Sequence, residues 1–168
     1  AYFSARILDK NVKNIGVGHY VGGAYGSYWV VIFTYPANTN ENAFAQQVLA
    51  LVNKERTTRG LNSLELGDAN LTAATAQRAR EIAEVNSHTR PDGSSCFTVL
   101  GQYNVTDEAV GENAAWGEVS PEEVVTSWMN STGHRDILLD PAARKMSVAC
   151  YYDANSTYGT NWDMLVTK

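Results

Sequence analysis

From Glu41 onward, apolar residues return at helical spacing. Phe44, Val48, Leu51 and Val52 fall on one stripe, and Gly60 follows as a stop, which predicts a helix opening near Glu41. A second helix is predicted from Leu71, Ala74, Arg78, Ile82 and Val85. Between residues 86 and 119 the period is lost, because Pro91, Gly93, Gly101, Gly111 and Gly117 interrupt any long element, and the stretch reads as irregular. Order resumes at Ser120-Pro121-Glu122-Glu123. A serine N-cap, proline at the first helical position and glutamate at the third form a capping box, ahead of a helix that turns Val124, Val125, Trp128 and Met129 to the core. Ser131 and Thr132 are expected to cap a short helix through His134 to Leu139 that ends at Asp140-Pro141. Two apolar β runs close the chain. Helices first and an antiparallel hairpin last predict an α+β layered domain rather than a parallel α/β one.

The β runs have a counterpart at the other end of the chain. Residues 7–20, ILDKNVKNIGVGHY, match residues 138–151, LLDPAARKMSVACY, at a constant offset of 131, pairing Leu8 with Leu139, Asp9 with Asp140, Ile15 with Met146, Val17 with Val148 and Tyr20 with Tyr151. Further on, YWVVIF from Tyr28 matches NWDMLV from Asn161, with two extra residues in the second loop. Each copy reads as a helix end, an apolar β run, a loop rich in Gly, Asn and Tyr, and a second β run containing tryptophan. The chain therefore opens with the tail of a module and closes with the same tail. Tyr35 to Asn40 is polar, holds a proline and lacks periodicity. The expected organisation is a partial repeat over 1–36, a linker at 37–40 and a complete domain over 41–168. A lone two-stranded hairpin is marginal in water. The first is accordingly expected to pair with a sheet, of its own domain or of a neighbouring chain, the second arrangement giving a dimer.

Composition narrows the function classes. A chain of 168 residues with 44% hydrophobic content buries one good core. Its 13 basic and 18 acidic residues give a net charge of −5, and no basic run is present, which argues against nucleic acid as a partner. No apolar run approaches the roughly 20 residues of a membrane span. Cys96 and Cys150 stand too far apart for a two-residue metal motif, and read either as a structural disulfide of an oxidising compartment or as buried thiols.

Polar groups concentrate in three runs: SHTRPDG from Ser87, GENAAWG from Gly111 and WMNSTGHR from Trp128. His88 reads alone as a loop histidine, and Glu112 as a turn cap. His134 carries more weight, because the offset of 131 places Phe3 at its position, so the same framework is built without a histidine there. Two neutral imidazoles and a carboxylate, His88, His134 and Glu112, make a three-ligand set for Zn²⁺ or another divalent ion. Without metal, the histidines would bind an anion or line a pocket as neutral groups. A third reading takes Ser87 or Ser131 as a nucleophile with histidine as base, yet no nucleophile motif surrounds either serine.

Together SHTRPDG, GENAAWG, WMNSTGHRDIL and the final β pair resemble the CAP superfamily of cysteine-rich secretory, antigen 5 and pathogenesis-related 1 proteins, and specifically its bacterial SCP-like extracellular branch. NKER from Asn53, the alanine-rich second helix and Trp162 fit as well. The resemblance covers residues 41–168, and residues 1–36 resemble the last third of another such domain. It implies a three-layer α-β-α sandwich with a central antiparallel sheet and a cleft of two histidines, His88 and His134, with the acid Glu112. Where relatives place a second acid three residues after the helix tryptophan, this chain has Ser131. The resemblance also favours a Cys96–Cys150 bridge and a secreted or cell-surface bacterial protein. The expected role is a non-enzymatic module that binds a small molecule, lipid or peptide in this cleft, with Asn113 and Ser131 orienting the liganding groups and Trp116 and Trp128 packing. The alternatives are a peptidase or cell-wall hydrolase using metal-bound water or histidine, and a structural adhesion repeat.

Overall fold

The computed structural model describes residues 12, 14–34, 40–153 and 155–168. The chain divides into two units, Ala1–Asn40 and Glu41–Lys168. The first contributes a hairpin of β1 (Asn14–Val21) and β2 (Ser27–Thr34), whose eight antiparallel pairs run from Asn14 with Thr34 to Val21 with Ser27. The helix end expected before it and most of the 37–40 linker lie outside the described residues.

The second unit runs through α1 (Asn40–Thr57), β3 (Glu65–Leu66), α2 (Ala69–Val85), α3 (Thr98–Gln102), β4 (Ala109–Trp116), α4 (Pro121–Asn130), α5 (Thr132–Leu138), β5 (Lys145–Tyr152) and β6 (Thr160–Thr167). Its sheet has the order β3-β5-β6-β4. The pairs of β6 with β4 and β5 are antiparallel, as expected, while the two-residue β3 runs parallel to β5.

Pleat parity assigns each strand residue to one of two helical layers. Met146, Val148, Trp162, Met164, Val166 and Ala115 pack with Val48 and Val52 of α1, Val124, Val125 and Trp128 of α4 and Leu138 of α5. On the other face Leu165 packs with Leu71 and Ala74 of α2 and Val99 and Leu100 of α3. This is the expected α-β-α sandwich.

Several local expectations meet a different outcome. The stretch expected to be irregular contains α3 and β4, so GENAAWG is a strand and Glu112 projects from a sheet rather than capping a turn. At α4, Ser120 Oγ accepts from the Glu123 amide at 3.2 Å while Glu123 Oε2 accepts from the Val119 amide at 2.9 Å, a capping box reaching one residue further back than usual. Ser131 has the extended backbone of an N-cap but forms no side-chain cap bond to α5.

The NKER run ties α1 to the loop before β3 and to α5. Asn53 Nδ2 donates to the Leu64 carbonyl at 2.9 Å and its Oδ1 accepts from the Leu64 amide at 2.7 Å, which fixes the loop leading to β3. Arg56 is fully buried and donates to the carbonyls of Asn62, Leu138 and Asp140 at 2.8, 2.7 and 3.0 Å, locking the end of α5 to α1. Truncating a buried donor strands its acceptors. Arg56→Met is expected to lower unfolding free energy by about 3 kcal/mol in a denaturant titration. A loss under about 0.5 kcal/mol, the scale of an ordinary surface change, would show that these carbonyls do not need the guanidinium.

Candidate functional site

The site is assembled where β4 meets α2. Glu112 pairs with Leu165 and Ala114 with Asp163, so Glu112 and Asp163 share the sheet face that looks at α2. Gly111 is required for close approach: a Cβ there would lie 2.6 Å from Ile137 Cδ1, so only glycine lets α5 come this near to β4. Asn113 points to the opposite face and its Nδ2 donates to the His134 carbonyl at 3.0 Å, fixing the start of α5.

Arg78 organises the α2 face. Its position on the stripe Leu71, Ala74, Arg78 and Ile82 drives a guanidinium into the core, where it has no exposed surface. Nε donates to Glu112 Oε1 at 2.7 Å, Nη1 to Glu81 Oε2 at 2.6 Å and Nη2 to the Ser87 carbonyl at 3.0 Å. Arg90 closes the other side of Glu81, with Nη2 2.6 Å from Oε1. Burial pushes the Glu81 carboxyl up, but bonds from Arg90, Gln77 and Arg78 outweigh it and hold the pKa at about 2. Glu112 behaves likewise: burial raises it, the bonds from His88 and Arg78 prevail, and it stays below the usual range.

His88 is presented by a tight loop. Asn86 ends α2 in the left-handed conformation, the Cys96 amide donates to the His88 carbonyl at 3.1 Å, and Gly93, at φ +84, turns the chain back so that the Arg90 amide meets the Ser94 carbonyl at 2.9 Å. His88 Nδ1 lies 2.6 Å from Glu112 Oε2. A carboxylate only accepts, so Nδ1 carries the proton and Nε2 is left for a ligand on a side chain that is 56% exposed. The Glu112 bond raises the His88 pKa against the effect of burial. His134 shifts the other way, lowered first by burial and then by the charge of His88, with Glu118 opposing. His134 is therefore within electrostatic reach of both His88 and Glu118.

Asp163 completes the network and was not among the expected site residues. It is fully buried and neither carboxylate oxygen meets a donor among the described residues. Burial first, then the negative charge of Glu112, raise its pKa well above the usual carboxylate range. A proton on Asp163 provides the donor that two ionised carboxylates lack, giving a carboxyl–carboxylate hydrogen bond to Glu112.

Glu112 therefore spends its oxygens on Arg78 and His88. Among the described residues no three of His, Cys, Asp and Glu converge as metal ligands, and Glu112 faces Arg78 and His88. Cys150 packs on the α1 and α4 side of the sheet. Cys96 lies across it beside Glu112, its thiol pushed up to about 12 by burial and then by the Glu112 charge. Ser87 Oγ accepts from the Thr89 amide at 3.0 Å. Trp128 is buried and donates to the Ala114 carbonyl at 3.2 Å, the packing role expected of it.

Trp116 donates to the Ile82 carbonyl at 3.1 Å and also walls a groove of about 580 Å³ with Glu118, Glu122, Glu123, Thr126 and Ser127. The backbone of Glu118 is pinned, its carbonyl accepting from Trp162 Nε1 and Thr160 Oγ1 at 2.7 Å each. Its Oε2 is buried without a hydrogen-bond partner among the described residues.

Two pH dependences of opposite sign follow from these groups. Glu81 holds its proton less tightly folded than unfolded, so its contribution is complete above its ordinary 4.5 and is lost as the pH falls towards about 2. Asp163 holds its proton more tightly folded, so stability is lost as the pH rises from the ordinary 3.8 through the raised native value. Asp163→Asn keeps a donor towards Glu112 and removes that second dependence. Thermal melts are expected to find the variant at least as stable as wild type at pH 7, with the advantage shrinking towards pH 4; a variant that melts lower at pH 7 would mean that Asp163 is ionised in the native state.

Residues 49–166 match the model of the CAP, or cysteine-rich secretory protein, family. The chain is 32% identical over 127 residues to YkwD of Bacillus subtilis (strain 168), a protein described as uncharacterized. That alignment takes in 74% of the chain and 49% of YkwD, so the chain spans about half the length of this curated relative. Among solved structures it is similar to an extracellular protein containing a SCP domain from Bacillus anthracis str. Ames, with a TM-score of 0.65 at 22% identity over 83% of the chain and 47% of that protein. It is also similar to an outer surface protein of Borrelia burgdorferi, with a TM-score of 0.65 at 21% identity over 78% of the chain and 95% of the Borrelia protein. At these identities the solved structures speak to the fold, while the family match and the Bacillus subtilis relative, read with the motifs around His88, Glu112 and His134, place this chain in the CAP family of cysteine-rich secretory proteins.

Proposed function

We propose that the domain is a non-enzymatic binding module, working outside the cell, whose partner docks over His88 and His134. The reading rests above all on the 2.6 Å bond from His88 to Glu112, itself anchored by Arg78. That chain spends buried charge on holding one imidazole in a fixed tautomer with Nε2 outward, the preorganisation a binding site needs. No nucleophile accompanies it, since neither Ser87 nor Ser131 is hydrogen-bonded to an imidazole among the described residues. An extracellular setting is supported by relatives described as extracellular and outer-surface proteins. The partner is a peptide segment carrying basic side chains. The wall of Trp116, Glu118 and Glu122 supports this class, offering an aromatic face and carboxylates to a cation.

Calorimetry with a short lysine-containing peptide, and an acidic peptide of equal length as control, tests this reading. Binding of the basic peptide alone, weakened at least about tenfold by His88→Ala and by Glu118→Gln, is the expected result. Equal affinity for both peptides, or indifference to both substitutions, would reject it.

For a divalent ion the cleft offers two imidazoles, with Glu112 standing behind His88 rather than at the ion. Because stable zinc sites use three or four protein ligands, Zn²⁺ titration at neutral pH is expected to give no saturable one-site binding in the low-micromolar range. Such binding, abolished in His134→Ala, would restore the metal reading.

The opposite displacement of the two histidine pKa values favours one alternative, a hydrolase in which His88 serves as acid and His134 as base. Peptide or cell-wall hydrolysis above a no-protein blank, lost in His88→Ala, would establish it.

A further inference from the structure

The hairpin of the first unit repeats the terminal hairpin of the domain pair for pair. Asn14 with Thr34 corresponds to Lys145 with Thr167, His19 with Trp29 to Cys150 with Trp162, and Val21 with Ser27 to Tyr152 with Thr160; all eight pairs keep register, and only the connecting loop differs in length. Register is the property a one-residue slip destroys, because every side chain then changes face. The two hairpins therefore assign equivalent residues to equivalent faces. One face of the first carries Ile15, Val17, Trp29 and Val31 where the domain has Met146, Val148, Trp162 and Met164. The other carries Gly18, Tyr20, Val30 and Ile32 where the domain has Ala149, Tyr151, Asp163 and Leu165.

The surroundings differ completely. Trp162 is 1% exposed and Trp29 is 67%; Asp163 is 0% exposed and Val30 is 58%. No Asp, Glu, Lys or Arg interrupts Asn14 to Thr34. Isolated strand pairs protect themselves with charge, proline or bulges, and this one has none. Stacking on a second hairpin would bury one apolar face and leave the other in water. Cover on both faces is what the domain gives β5 and β6, through α2 on one side and α1, α4 and α5 on the other, with β3 and β4 at the edges.

We propose that β1 and β2 are the terminal strand pair of a second CAP unit, with the residue pattern of a pair covered by helices on both faces. That unit is a scaffold rather than a copy of the site. At His134 it has Phe3, at Asp163 it has Val30 and at Asn161 it has Tyr28, so its α2-type face buries apolar side chains where the complete domain buries the acid of a charged network.

Two measurements test the proposal on the whole chain. Sedimentation and hydrogen exchange are expected to find a monomer whose β1 and β2 amides exchange at least about 100-fold faster than those of β5 and β6, because the hairpin lacks its cover. Protected hairpin amides in a monomer would mean that the chain covers its own hairpin, and protected amides in a dimer would make a second copy the occupant; either overturns the proposal. The second measurement grafts Asn14–Thr34 in place of Lys145–Thr167, with and without Val30→Asp to restore the carboxyl at the position of Asp163. At least one in-register graft is expected to keep a single cooperative unfolding transition with a lowered Tm, while a graft slipped by one residue loses it. If both in-register grafts fail, or the slipped graft folds as well as they do, the hairpin is not a CAP strand pair.

Discussion

The arrangement of this domain hangs on one buried cation. Arg78 stands in the middle of an apolar helical stripe and so must enter the core. A buried guanidinium is tolerated only where carboxylates and carbonyls receive its protons. Glu81 comes from the same helix, Ser87 from the loop beyond it and Glu112 from the adjacent sheet, so satisfying Arg78 fixes α2, the His88 loop and β4 against one another. Apolar replacements of buried ion pairs often leave stability unchanged or improved. The consequence of this pair is therefore positional, and the position that matters is that of His88.

Charge balance then explains the remaining acids. Arg90 supplies Glu81 with a second cation, so both can be ionised. Glu112 is ionised because it has Arg78 and His88. Asp163 lies behind Glu112 with no cation left to claim, and a neutral carboxyl donating to Glu112 is the arrangement that leaves no unpaired charge in the core. With both oxygens bonded, Glu112 orients His88.

The sequence reveals those parts of this fold whose signal is local. The stripes of α1 and α2, the Ser120 capping box and the paired β runs all appear where their periodicities put them, since each depends on neighbours three, four or two residues away. Strand β4 was illegible because both its faces are buried. Gly111, Asn113 and Ala115 meet one helical layer while Glu112 and Ala114 meet the other, and no polar alternation marks it. Parity links Cys150 to Trp162 on the α1 and α4 side of the sheet, a placement that the spacing of the two cysteines does not carry. The charged network left two traces that pattern-reading passed over. Arg78 on an apolar helical stripe and Asp163 within an apolar strand are both charges at core positions, and each implies a partner that the sequence does not name.

The two copies of the terminal hairpin separate scaffold from site. Both keep tryptophan at the same register position and apolar residues on the face that meets α1, α4 and α5 in the complete domain. They part on the other face, where one has Asp163 and Asn161 and the other Val30 and Tyr28. The charged network behind His88 is thus a property of one sheet face and of the helix that Arg78 ties to it, while the apolar pattern of the opposite face is common to both hairpins.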